Sequence, residues 1–225
     1  MTMSAAFTAT LWNAARPIYD AILDHPFIAG LADGTLPKAS FAYFVVQDSH
    51  YLRNYSRALA LTAARAHDED DVAMFAGHAA NAIAVERELH AGLLGDLDLT
   101  STDVDAAGSG PVTTAYMSYL TAICATGSYA EAVATVLPCY WIYREVGHVL
   151  AANSSPDPLY ARWIGTYGSP EFDAIVTEVL AAADRLGRDL GPAEQQRCLR
   201  HFRTTARYEW MFWDAAYQRV DWPLP

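Results

Sequence analysis

Helix-opening signals follow one another along this chain, and no segment offers the period-two alternation of a half-buried strand bounded by turns. Thr35-Leu36-Pro37 puts a proline in a first turn, where its missing N–H costs nothing. Asp68 has the side chain to cap the helix after it. Ser128-Tyr129-Ala130-Glu131 is an S-x-x-E capping box, in which side chain and backbone satisfy each other's first-turn donors. Ser169-Pro170 and Pro192 open two more helices. The spacing predicts helices over about 5–24, 37–66, 69–94, 111–126 and 128–152, then a short one ending near Tyr167, and two more over about 169–191 and 192–220. The Gly-, Asp-, Thr- and Ser-bearing stretch 95–110 is expected to be the longest loop, and Asn153-Ser154-Ser155-Pro156-Asp157-Pro158 a turn cluster. The fold class is therefore all-α, a bundle of roughly eight helices or more. With 225 residues and 52% apolar content the chain can bury one large core, so a single domain over 1–225 is expected.

Charge narrows the partners. The formal net charge is −11, which repels nucleic-acid phosphates and anionic membrane surfaces alike. No apolar run approaches the roughly 18 residues needed to span a bilayer, and no signal peptide is visible. Cys124, Cys139 and Cys198 are odd in number, widely spaced and free of any C-x-x-C pairing. A reduced, cytoplasmic protein is the expectation. Only 18% of residues are charged, so some surface is expected to be covered by identical partners.

Three positions carry chemistry. Pro138 lies inside a helix, where it removes a backbone hydrogen bond at a cost of roughly 3 kcal/mol or more. Cys139 follows it, and Tyr143, four residues on, shares its face. Taken alone, this fits an inert core cysteine beside a kink as well as a reactive thiol. Asp48 and Tyr51, three apart, lie on an apolar helix face, where a carboxylate needs a hydrogen-bonding partner or a purpose. Glu209 is set among Trp210, Phe212 and Trp213, and desolvation there would bring a carboxyl group toward neutrality. An outward-facing glutamate on an interface helix fits the same residues. Tyr116 and the stripe Tyr160-x-x-Trp163-x-x-x-Tyr167 are aromatic positions of the kind that fill cores.

Read in order, these segments resemble the TenA/thiaminase II family. The similarity is carried by His25-Pro26-Phe27, Gly34-Thr35-Leu36-Pro37, Gln47-Asp48-x-x-Tyr51-Leu52, Ala115-Tyr116, Leu137-Pro138-Cys139-Tyr140-Trp141-Ile142-Tyr143, Trp163-Ile164-x-x-Tyr167-x-x-x-Glu171-Phe172 and Glu209-Trp210-x-Phe212-Trp213-Asp214. It implies a haem-oxygenase-like helical fold, usually a homotetramer, without a metal or organic cofactor. It also implies hydrolysis of thiamin or of its aminopyrimidine breakdown products, releasing 4-amino-5-hydroxymethyl-2-methylpyrimidine. Through it, Cys139 becomes the nucleophile, Glu209 the acid/base group and Asp48 the pyrimidine-binding carboxylate. Tyr51, Tyr116, Tyr143, Tyr167 and Phe212 become the aromatic walls of a small-molecule site. His50 departs from the pattern, which has an aromatic such as tyrosine there. Two other classes remain open. Glu145-x-x-His148 and Glu86-x-x-x-His90 have the spacing of metal ligands in a helical oxidase or oxygenase, and a non-catalytic pyrimidine-binding protein would use the same pocket.

Overall fold

The computed structural model describes residues 6–224, with the backbone alone over 85–91. The chain forms α1 (Phe7–Leu23), α2 (Pro26–Asp33), α3 (Lys38–Arg65), α4 (Glu69–Asp96), α5 (Ser101–Ala107), α6 (Pro111–Thr126), α7 (Tyr129–Ala151), α8 (Pro158–Tyr167), α9 (Pro170–Asp189) and α10 (Pro192–Gln218). No strand occurs among the described residues, so the all-α expectation holds. The local signals act as expected. The Asp68 carboxylate accepts from the Asp71 N–H, Ser128 and Glu131 cap each other, and the Ser169 hydroxyl accepts from the Phe172 N–H.

Two helices were not expected. α2 is capped by His25, whose Nδ1 accepts from the Phe27 N–H, and it ends at Gly34 with φ +78°, a left-handed turn that glycine adopts without strain. Histidine is outside the usual capping set, which is why the signal went unread. The stretch 95–110, expected to be a loop, contains α5. There Thr100 and Asp103 form a capping box with aspartate in the place usually held by glutamate or glutamine, in a segment whose polar composition otherwise reads as coil.

Three helices meet at the centre: α3, α7 and α10 each pack on the other two. α4 and α6 lie against α3, and α8 and α9 lie against α7. Between Tyr129 and Pro138 every residue of α7 is buried, the mark of a helix surrounded on all sides. Pro138 does not interrupt α7, which continues to Ala151. Farther along, Gly147 allows the turn after α8 to sit directly on α7. A Cβ at that position would lie 2.5 Å from the carbonyl carbon of Tyr167. The absence of a side chain at Gly147 therefore sets how closely Tyr167 approaches Tyr143, whose ring centroid is 4.8 Å from its own.

Candidate active site

A cavity of about 340 Å³ opens among α3, α4, α7, α8 and α9. Four of the eight expected site residues line it: Asp48 from α3, Cys139 and Tyr143 from α7, and Tyr167 at the end of α8. The other four, Tyr51, Tyr116, Glu209 and Phe212, do not line it and are buried. They form a packed cluster next to it: the Tyr51 ring lies 4.9 Å from that of Tyr116 and 5.7 Å from that of Phe212. The Tyr116 hydroxyl donates to Glu209 Oε1 at 2.5 Å. The walls are largely apolar, as in a site that takes a flat organic molecule.

The three cysteines differ sharply. Cys124 and Cys198 are fully buried, and burial pushes their thiols up to about 11 and about 12. Cys139 lies deep in the chain, yet its side chain is partly accessible and borders the cavity. An inert core cysteine would look like the first two.

The charges around Cys139 are arranged against its ionisation in the empty site. Burial raises the thiol well above its ordinary value, and the neighbouring carboxylates Glu209 and Asp48 raise it further. The hydroxyls of Tyr51 and Tyr55 act the other way, favouring the thiolate. The Tyr51 hydroxyl is buried and meets none of its neighbours at ordinary hydrogen-bond geometry. Glu209 is pushed up to about 8, chiefly by burial and then by the charge of Asp48, with the Tyr116 hydrogen bond opposing both. At neutral pH the site therefore presents a thiol and a largely protonated carboxyl group side by side.

Other sequence candidates lie elsewhere. The His50 ring nitrogen Nε2 sits 3.0 Å from the Val104 carbonyl oxygen, so it tethers α5 and is not among the cavity residues. Glu145 Oε1 accepts from Arg144 at 2.7 Å and from the Trp141 indole at 3.2 Å, while His148 Nε2 pairs with Asp173 at 2.9 Å. Glu86 and His90 lie outside the described side chains. Among the described residues no three His, Cys, Asp or Glu side chains gather as a metal site, and no helix is long and apolar enough to cross a membrane.

Several lining residues were not singled out from sequence. Tyr55 lies four residues after Tyr51 on the same helix face, so helical periodicity could have found it. Tyr140 and Phe172 stood inside the matched segments without a role. His78, on α4, carries no local signal at all.

Comparison with known proteins follows the same outline. The sequence model of the TENA/THI-4/PQQC family matches residues 12–219. The chain is 33% identical over 219 residues to an aminopyrimidine aminohydrolase from Halalkalibacterium halodurans, covering 96% of this chain and 98% of that protein. It is 38% identical to the thiamine biosynthesis multifunctional protein ThiED of Corynebacterium efficiens over 96% of this chain, but it spans only 29% of that longer protein. Among solved structures, a TenA homologue protein from P. horikoshii OT3 superposes with a TM-score of 0.88 at 30% identity, covering 95% of this chain and 99% of the other. A Shewanella denitrificans domain with a haem oxygenase-like fold superposes at 0.74 with 16% identity, over 97% of this chain and 94% of that one, a likeness of fold alone.

Proposed function

The chain belongs to the TENA/THI-4/PQQC family, and from that premise we propose that it is a thiamin-salvage hydrolase in which Cys139 is the nucleophile. Its substrates are 4-amino-5-aminomethyl-2-methylpyrimidine, thiamin, or both, and its product is 4-amino-5-hydroxymethyl-2-methylpyrimidine. The observation that carries the reading is Cys139 bordering a cavity that Asp48 also lines, with Glu209 buried behind it and titrating near 8.

The chemistry needs those groups. Displacement by water at the methylene of an aminopyrimidine is slow, because the ring offers no stabilised intermediate. A proton placed on a ring nitrogen makes the adjacent ring carbon electrophilic, and a carboxyl group with an acidity near 8 can hold and pass that proton at pH 7. Having given its proton to the ring, the Glu209 carboxylate takes the proton of the Cys139 thiol as the sulfur adds to the carbon, and the ring electrons become those of an enamine. The enamine pushes the amine or thiazole off the methylene. Water adds to the exposed methylene, the carbon–sulfur bond breaks, and the ring regains its aromaticity. One difficult step becomes several easier ones. Asp48 accepts from the exocyclic amine, and the rings of Tyr143 and Tyr167 flank the flat substrate and keep water out. The assembly that goes with this reading is a homotetramer, and the low charged fraction of 18% supports a covered surface.

The test offers thiamin and 4-amino-5-aminomethyl-2-methylpyrimidine in parallel and identifies products by mass spectrometry, with Cys139→Ala as the control. Release of the hydroxymethylpyrimidine from at least one substrate by the wild type, and from neither by the variant, is the expected result. No release by the wild type rejects the reading.

A further inference from the structure

The residues lining the cavity divide by depth. Asp48, Tyr55, Leu59 and Tyr143 are buried and form its floor, with Cys139 partly accessible beside them. Asn81 of α4 and Glu171 of α9 line the same cavity but are exposed, so they stand at its rim. Phe172 and Ile175, both half-buried, join the two levels along α9. The proposed chemistry occupies the floor, where Asp48 and Cys139 take the pyrimidine. It gives the rim no task.

The rim carries a charge that nothing in the fold uses. The Thr166 hydroxyl donates to the Arg162 carbonyl at 3.2 Å. The Ser169 hydroxyl donates to the Thr166 carbonyl at 2.9 Å and accepts from the Phe172 N–H. His78 is held between Tyr140 and Glu178. Glu171, by contrast, makes no hydrogen bond or ion pair with the described residues. As the second residue of α9 it favours the positive end of that helix, a role that Asp173 in the same turn also fills. No Lys or Arg is found among the described residues lining the cavity. Burial lowers His78 below its ordinary value, so it adds little positive charge at neutral pH. Asp48 at the floor and Glu171 at the rim therefore give the cavity one sign of charge along its depth, an arrangement that concentrates cations.

We propose that Glu171 is a specificity-determining residue that holds the cationic leaving half of the substrate, a quaternary heteroaromatic ring such as the thiazolium of thiamin, with the body of that ring against Phe172. The proposal rests on the pyrimidine being bound at the floor of this cavity. A flat cation suits the pair, since the aromatic side chain offers apolar contact and a cation–π attraction while the carboxylate matches the charge. The attraction also ends with the reaction. When the bond from the methylene to the thiazolium nitrogen breaks, its electron pair goes to nitrogen and the thiazole departs uncharged. Water supplies the hydroxyl that the methylene gains, and its other proton goes to solvent. Glu171 thus holds the substrate more strongly than the departing thiazole, which favours release through the open rim.

Equilibrium binding tests this without turnover. Cys139→Ala is the parent protein, so thiamin is bound and not consumed. Isothermal titration calorimetry compares thiamin with 4-amino-5-hydroxymethyl-2-methylpyrimidine, which has the same ring and no cation. Adding Glu171→Gln to the parent is expected to weaken thiamin binding about threefold to fivefold, the scale of an exposed ion pair. The hydroxymethylpyrimidine is expected to bind both proteins equally, an outcome that a merely structural role for Glu171 would not give. Glu171→Asp keeps the charge and is expected to retain most of the thiamin affinity, and added salt to narrow the gap between parent and Glu171→Gln. A Glu171→Gln protein that binds thiamin as the parent does, or that loses both ligands alike, overturns the proposal, and so does a parent that binds no thiamin. Charge-dependent thiamin binding in a protein whose wild type releases no product would reject the hydrolase reading and keep the assignment of the rim.

Discussion

The Tyr116 hydroxyl and the Glu209 carboxyl group meet at 2.5 Å with both side chains buried. A bond this short to a carboxyl group favours its ionised form and opposes the desolvation that pushes Glu209 up to about 8. Tyr116 is itself held by the parallel ring of Tyr208, 5.1 Å away. Tyr116→Phe keeps that stack and removes the donor. The titration of Glu209 is then expected to move above about 8, and the high-pH limb of the rate profile to move up with it. The carboxyl stretch in an infrared pH titration reads this directly. An unchanged midpoint would show that the hydrogen bond does not tune Glu209.

Glu209 also makes stability depend on pH. Its folded value is about 8 against an unfolded value of about 4.5, so between those limits the folded state binds the proton more tightly. Stability attributable to this group is fully present below about 4.5 and is lost as pH rises through about 8. The loss is on the order of a few kcal/mol. Glu209→Gln does not titrate, so its thermal midpoint is expected to decline less than that of the wild type between pH 5 and 8. Parallel curves for the two proteins would contradict the buried, raised carboxyl group. The same variant is expected to lose turnover, since an amide cannot pass the proton.

The cysteines allow a contrast within one protein. Cys139→Ala removes the sulfur from the cavity wall, and turnover is expected to vanish while the fold stays intact. Cys124→Ala removes a buried sulfur that accepts from Thr62 at 3.7 Å, so it is expected to cost about 1–2 kcal/mol of stability and leave turnover near wild type. Activity of Cys139→Ala within about tenfold of wild type would reject the nucleophile assignment.

Gly147 tests how the cavity is shaped. Its Cβ in Gly147→Ala would stand 2.5 Å from the Tyr167 carbonyl carbon and 2.6 Å from its oxygen, both backbone atoms that cannot swing aside. The turn after α8 must shift, at a cost of about 1–3 kcal/mol, and Tyr167 shifts with it. The expected kinetic signature is a raised KM with a smaller change in kcat. A KM equal to wild type would mean that the position of Tyr167 does not govern binding.

Much of the fold was legible because its determinants are local. The box at Ser128–Glu131 and the Ser169 cap on the Phe172 N–H each join residues three apart in sequence. Where the local code departed from its commonest letters, the reading failed. His25 capped α2, and aspartate stood in for glutamate at the start of α5. The site was legible only in part. Asp48, Cys139, Tyr143 and Tyr167 surround one cavity, but Glu209 and Tyr116 stand behind its wall. His50, beside Asp48 in sequence, points instead toward α5.

By itself the sequence determined that the chain is helical, where most helices start, and which family its ordered motifs resemble. These rest on side chains three or four residues apart and on the order of segments, neither of which needs a third dimension. Tertiary structure alone decided that Cys139 borders a cavity while Cys124 and Cys198 do not. It decided that Glu209 titrates near 8 and that His78, with no motif of its own, comes to lie against Tyr140. The reason is physical: desolvation and charge–charge interaction depend on everything packed within a few ångströms, and at Cys139 those neighbours come from five helices.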